Sequence, residues 1–148
     1  MRVNAQGVWL LEIAARSIGG LCGRMLRHGL GMSQEELILC HALNRPLPQM
    51  HPGEATGVMM IPIPRRGIVQ GAHNLDSALK VADISDIQVT ANLGQVIAPP
   101  PEGASYLGFI FAQGPSPAAV ESSLRQARQR LVFEIQADIP VNHANSPT

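Results

Sequence analysis

The 148-residue chain has no excess of charge of either sign: eleven Lys and Arg balance eleven Asp and Glu. With that balance nothing in the net charge points to a nucleic-acid binder or to a protein held on an anionic membrane surface. Long apolar runs are also missing. The one starting at Val8 is broken by Glu12, so neither a membrane span nor an adequate signal-peptide core is present. Cysteine is scarce. Cys22 and Cys40 have no CxxC partner and read as reduced thiols of a cytoplasmic protein. The five histidines (28, 41, 51, 73 and 143) show no ligand spacing, which argues against a zinc site. Lys80 is the only lysine, and no glycine-rich phosphate loop accompanies it, so no nucleotide pocket is identifiable.

What is present suits a folded chain of one domain or two small ones. The apolar content is 45% and the charged content 15%. The zero net charge hides an asymmetry. Residues 1–74 carry seven Arg (2, 16, 24, 27, 45, 65, 66) against Glu12, Glu35, Glu36 and Glu54. A mildly cationic first half suits a phosphate-sized anion better than a polyanion.

Residues 1–4 and Val8–Ala14, joined through Ala5-Gln6-Gly7, predict a tight hairpin. Leu10 to Ala15 predicts a buried strand. Leu21–His28 has helical spacing, and Ser33 with Glu36 forms a capping box that opens a helix through about Leu43. NRPLPQMHPGE, residues 44–54, predicts a linker. Beyond it, strands are expected over Thr56–Ile63, Asp86–Ala91, Gln95–Ala98, Tyr106–Ala112 and Leu131–Ile135. A short helix is expected over Leu75–Ala82, with a turn at Arg65-Arg66-Gly67 before it. Ser116-Pro117 opens the clearest helix, with Val120, Leu124, Ala127 and Leu131 as its apolar stripe. Helices and strands alternate without a strict βαβ series, so the fold class is α+β, with antiparallel or mixed sheets.

Glu12 stands inside the most apolar predicted strand. A carboxylate there costs several kcal/mol if it is buried and unpaired. Either Arg16, four residues on, relieves it or the side chain faces water, or else it is a metal ligand. Mg²⁺ prefers one or two carboxylates together with phosphate oxygens. Arg16 and the Gly19-Gly20 turn before a helix would then face the anionic groups such a metal bridges.

These residues carry a resemblance. LLEIAARSIGGLCGRML resembles the end of the ATP-grasp catalytic domain, where a late-strand glutamate binds Mg²⁺ and an arginine four residues on contacts phosphate or substrate. EIAARSIGG with GVMMIPIPRRG, then LGQVIAPPPEGASYLGFIFAQG and the helix into LVFEI, resembles the C-terminal part of the L-amino-acid ligase group of ATP-grasp proteins. The resemblance covers nearly the whole chain except about the last dozen residues. It implies an end of the ATP-grasp domain over 1–50 and a small α+β domain over 55–136, and the remaining residues 137–148 are expected to be a loose tail. It also implies Glu12 as the metal ligand, Arg16 as the catalytic arginine, and Gly19 and Gly20 as the cofactor-binding turn. Ala14 stands where many relatives have a metal-binding asparagine, and counting back from Glu12 places the partner acid just before Met1.

The implied reaction is ATP- and Mg²⁺-dependent joining of small-molecule carboxylate and amine substrates through an acyl phosphate, not carried out by this chain alone. The alternative is a non-catalytic module that forms a homodimer or pairs with a separate ATP-grasp subunit. A third reading is a mis-called start codon or a broken reading frame. For Arg65 and Arg66 a solvated loop is the favoured reading.

Overall fold

The computed structural model of the chain describes residues 2–13, 18, 19, 21–47 and 55–137, with backbone alone over 28–30. The hairpin is present but short. β1 (Arg2–Asn4) pairs antiparallel with β2 (Gly7–Trp9), Arg2 opposite Trp9. The Asn4 side-chain oxygen accepts from the Gln6 N–H at 2.9 Å, closing the turn locally. The strand then stops: Leu10–Ile13 has no regular structure, and Leu11 is 68% and Ile13 78% exposed. This corrects the expected buried strand over Leu10–Ala15, of which Ala14 and Ala15 lie outside the described residues.

Two helices come next. α1 (Gly23–Leu30) ends on Gly31, whose left-handed φ of 67° lets its N–H reach the Arg27 carbonyl. α2 (Gln34–Ala42) begins on the predicted capping box. The Glu36 N–H donates to Ser33 Oγ at 3.2 Å, and the Ser33 N–H donates to Glu36 Oε2 at 2.7 Å. The Glu36 carboxylate is held below its ordinary range, first by the Ser33 backbone N–H, then by the Ser33 hydroxyl and the nearby Arg27 charge. No residue of α2 is buried. The predicted linker is described only to Leu47.

The remaining elements make two three-stranded sheets, and every described pairing is antiparallel. β3 (Ala55–Ile61), β5 (Ile84–Val89) and β7 (Gly108–Gly114) are ordered β3-β7-β5. β4 (Gly67–His73), β6 (Val96–Ile97) and β8 (Val132–Gln136) are ordered β6-β4-β8. β3 is an edge strand that ends just before Pro62, where a missing N–H does least harm.

Between the strands lie α3 (Leu75–Leu79) and α4 (Pro117–Arg130). Ser116 caps α4, its Oγ accepting from the Ala119 N–H at 3.2 Å, and Pro117 occupies the first turn. The predicted stripe of α4 is buried: Val120, Leu124, Ala127 and the following Leu131 join Ile61, Ile110 and Ala112 in the core. Burying each large aliphatic side chain contributes about 1.5–3 kcal/mol. Ser123, the buried polar residue of α4, donates to Asp83 Oδ2 at 3.2 Å.

β7 runs between β3 and β5, and all of its residues except Gln113 are buried. Strand alternation splits this sheet into two faces. Gly57, Met59, Ile110, Ile87 and Ala112 share one face, because they pair across the strands. A Cβ built on Gly57 would meet Val120 and Leu124, so α4 covers that face. Val58, Met60, Phe109, Phe111, Asp86 and Gln88 share the other.

Candidate functional site

The segment with the predicted site residues begins where β2 ends. Glu12 is exposed, between Leu11 and Ile13, which are exposed as well. Arg16 and Gly20 lie outside the described residues. Gly19 is described: its carbonyl accepts a long 3.4 Å bond from the Cys22 N–H, in a turn that also has Leu21 at a left-handed φ of 55°. The next bonds, from the Arg24 N–H to Leu21 O and from the Met25 N–H to Cys22 O, both 3.0 Å, lead directly into α1. The Cys22 bond to Gly19 is thus followed at once by the bonds that start α1.

Glu12 is the only acid in residues 2–13. Among the described residues, no group of three or more His, Cys, Asp or Glu side chains is placed to hold a metal ion. A single exposed carboxylate with apolar neighbours does not strip Mg²⁺ of its waters. The described residues therefore do not make a Mg²⁺ site by themselves.

The two other arginines singled out in the sequence lie in the β3–β4 connection. Arg65 is exposed in its loop and is also held there. Its Nη2 donates to the Ile135 carbonyl at 2.7 Å in a partly buried position, tying that loop to β8. Lys80 lines an open surface hollow of about 720 Å³ with Ala72, His73, Asn74, Leu75, Asp76 and Ser77. Its walls are already engaged: His73 Nε2 lies 3.6 Å from Glu134 Oε2, and the Ser77 carbonyl accepts from Arg130 at 2.8 Å. Neither Glu12 nor Gly19, the predicted site residues that are described, lines it.

Among the described residues, one charged side chain close to Gly19 in the chain makes several contacts and was not singled out from the sequence. Arg24, on the first turn of α1, donates to Asp86 Oδ2 and to Gln88 Oε1, each at 3.1 Å. Its guanidinium also lies 4.4 Å from the centroid of the Phe111 ring. These partners come from β5 and β7, more than sixty residues away in sequence, so no local spacing could have announced them. Among the described residues, no helix is long and apolar enough to cross a membrane.

Residues 59–136 match the family L-amino acid ligase C-terminal domain 2. The fold is similar to that of the L-amino acid ligase from Bacillus licheniformis, with a TM-score of 0.65 and 20% identity over 80% of this chain. It is also similar to the N5-carboxyaminoimidazole ribonucleotide synthetase from Thermotoga maritima, with a TM-score of 0.61 and 16% identity over 91% of this chain. The chain spans 30% and 35% of the length of these two proteins. No curated protein matches it in sequence. With a family match over more than half of its residues and a fold shared with both enzymes, the chain belongs to the L-amino acid ligase C-terminal domain 2 family, an ATP-grasp-type C-terminal portion.

Proposed function

We propose that this chain is the C-terminal part of an ATP-dependent carboxylate–amine ligase that works through an acyl phosphate, and that it does not turn over alone. The observation that carries this reading is the family match over residues 59–136. In this reading residues 1–50 close the catalytic domain, residues 55–136 form the small C-terminal domain, and 137–148 are a tail. Glu12 contributes one carboxylate to a metal site whose remaining ligands come from elsewhere in the enzyme. Arg16 contacts phosphate or substrate, and Gly19 with Gly20 offers backbone N–H groups to an anion. The substrates are a small-molecule carboxylate and an amine. The carboxylate takes the terminal phosphoryl group of ATP, and the amine then displaces phosphate.

Phosphate release from ATP in the presence of mixed amino acids tests both halves of the reading. The isolated chain is expected to release none above background, and turnover by it refutes the claim of dependence. The ligase reading is tested by grafting the chain in place of the matching 30% of the Bacillus licheniformis enzyme. Amino-acid-dependent release that is lost on Glu12→Gln is expected. A folded, nucleotide-binding but inactive chimera counts against it.

A second reading has an observation of its own. Val3, Val8, Trp9, Leu10, Leu11 and Ile13 are all exposed on the hairpin and the segment after it. Such a surface also suits a non-catalytic module that pairs with a separate ATP-grasp subunit or with itself. Light scattering that finds a monomer at high concentration removes the self-associating form.

A further inference from the structure

The sheet β3-β7-β5 carries apolar residues on both faces, and α4 covers only one of them. On the other, Phe111 is 1% exposed although it stands outside the cluster of core residues that α4 completes. The Arg24 guanidinium lies over its ring, and α1 runs against β3. Asp86 and Gln88, which receive the two hydrogen bonds of Arg24, are on this same face, on either side of Ile87 along β5. One planar cation is therefore satisfied in three ways at once: a carboxylate, an amide oxygen and an aromatic face. A guanidinium can lay its flat face on the ring while its edge N–H groups donate, a geometry that an ammonium matches only in part.

We propose that Arg24 is a positioning residue, a clamp that docks α1 and the Gly19–Cys22 turn onto the Phe111 face of the sheet. The clamp makes the C-terminal domain the platform for the segment that comes after Glu12. Arg24 is five residues after Gly19, and the Cys22, Arg24 and Met25 N–H groups bond back to the Gly19, Leu21 and Cys22 carbonyls. The docking stands on these contacts whatever reaction the protein serves. What it positions, the Gly19 turn, has a catalytic meaning only if the ligase reading holds.

The test is hydrogen exchange on the full chain, which reads docking without any activity. The Arg24–Asp86 pair is about half exposed, with side-chain accessibilities of 47% each. The ion pair alone is therefore modest, and the ring contact and the amide bond add to it. Arg24→Gln is expected to speed exchange of the α1 amides by about tenfold while the Ile110 and Ala112 amides stay within about twofold. Asp86→Asn, which removes only the carboxylate charge, is expected to give about threefold in α1. The double variant should be no faster than Arg24→Gln alone, because both changes remove the same contact. Arg24→Lys should recover only part of the protection. Arg125→Gln, which breaks the exposed 2.7 Å pair with Glu121 on α4, is the control and should leave α1 unchanged. Unchanged α1 exchange in Arg24→Gln overturns the clamp. So do equal acceleration of α1 and the sheet, or single effects that multiply to about thirtyfold in the double variant.

Discussion

Replacing Gly57 by alanine adds one methyl group where α4 crosses β3. The added Cβ would stand 2.7 Å from Val120 Cγ1 and 3.1 Å from Leu124 Cδ1, well inside carbon–carbon contact distance. Neither atom is the free end of a long side chain, since Val120 and Leu124 are 4% and 6% exposed and held in the core. Two effects oppose each other. Alanine restricts the unfolded chain and so stabilises by about 0.4–1 kcal/mol where the native backbone accepts it. Overpacking a closed core costs typically about 1–3 kcal/mol. The clash wins, and Gly57→Ala is expected to destabilise by about 1–2 kcal/mol. Urea unfolding measures this as a lower midpoint at unchanged slope. Val120→Ala alone removes two buried methyl groups and should cost about 2 kcal/mol. In the double variant the alanine at 57 occupies part of the space vacated, so the loss should stay near about 2 kcal/mol, where independent sites would give about 3–4. A Gly57→Ala protein as stable as the wild type, or a fully additive double variant, would refute the packing argument.

Two further outcomes concern the first part of the chain. Glu12→Gln should change stability by less than about 1 kcal/mol, because the side chain is exposed. A urea-measured loss above about 3 kcal/mol would instead mark a buried ion pair. For Glu36, a carboxylate whose folded pKa is depressed stabilises fully above its unfolded value, and the contribution is lost as pH falls through the folded value. Helicity at the start of α2 should therefore weaken on acidification below the ordinary glutamate range. Amide exchange or NMR shifts at Glu36 and Leu37 should track that titration in the wild type and not in Glu36→Gln. A pH-independent first turn in the wild type contradicts it.

The ends of helices were legible because capping chemistry is local. Ser33 with Glu36, and Ser116 with Pro117, need only a few neighbouring residues to act. The α4 stripe was legible for the same reason, since one face of one helix carries the whole signal. β4 was not foreseen. Its inward positions are Gly67, Val69 and Gly71, so the apolar alternation that marks a half-buried strand is nearly silent. The apolar run at Leu10–Ile13 misled in the opposite direction. Hydrophobicity announces a wish for burial, but burial needs a surface to pack against, and these side chains are exposed. The Glu12 question was posed by the sequence, whereas the Arg24 contacts were invisible to it. They are made by tertiary folding, across a sheet whose strands are distant in the chain.

That same strand order has a consequence for how the protein is made. Among the described residues β3 has β7 as its only sheet partner, and Ile61 is paired with Gly108. A ribosome adding about 5–20 residues per second needs roughly 2–10 s to synthesise the stretch between them. Throughout that interval the charge-free sequence ATGVMMI, with the β-formers Thr56, Val58 and Ile61, exists without its mate. Pro62, Ile63, Pro64, Arg65 and Arg66 come directly after it in the chain. Prolines and charges at such a flank discourage a waiting strand from recruiting another nascent chain. The Arg65 that later ties its loop to β8 would thus serve first as a guard during translation.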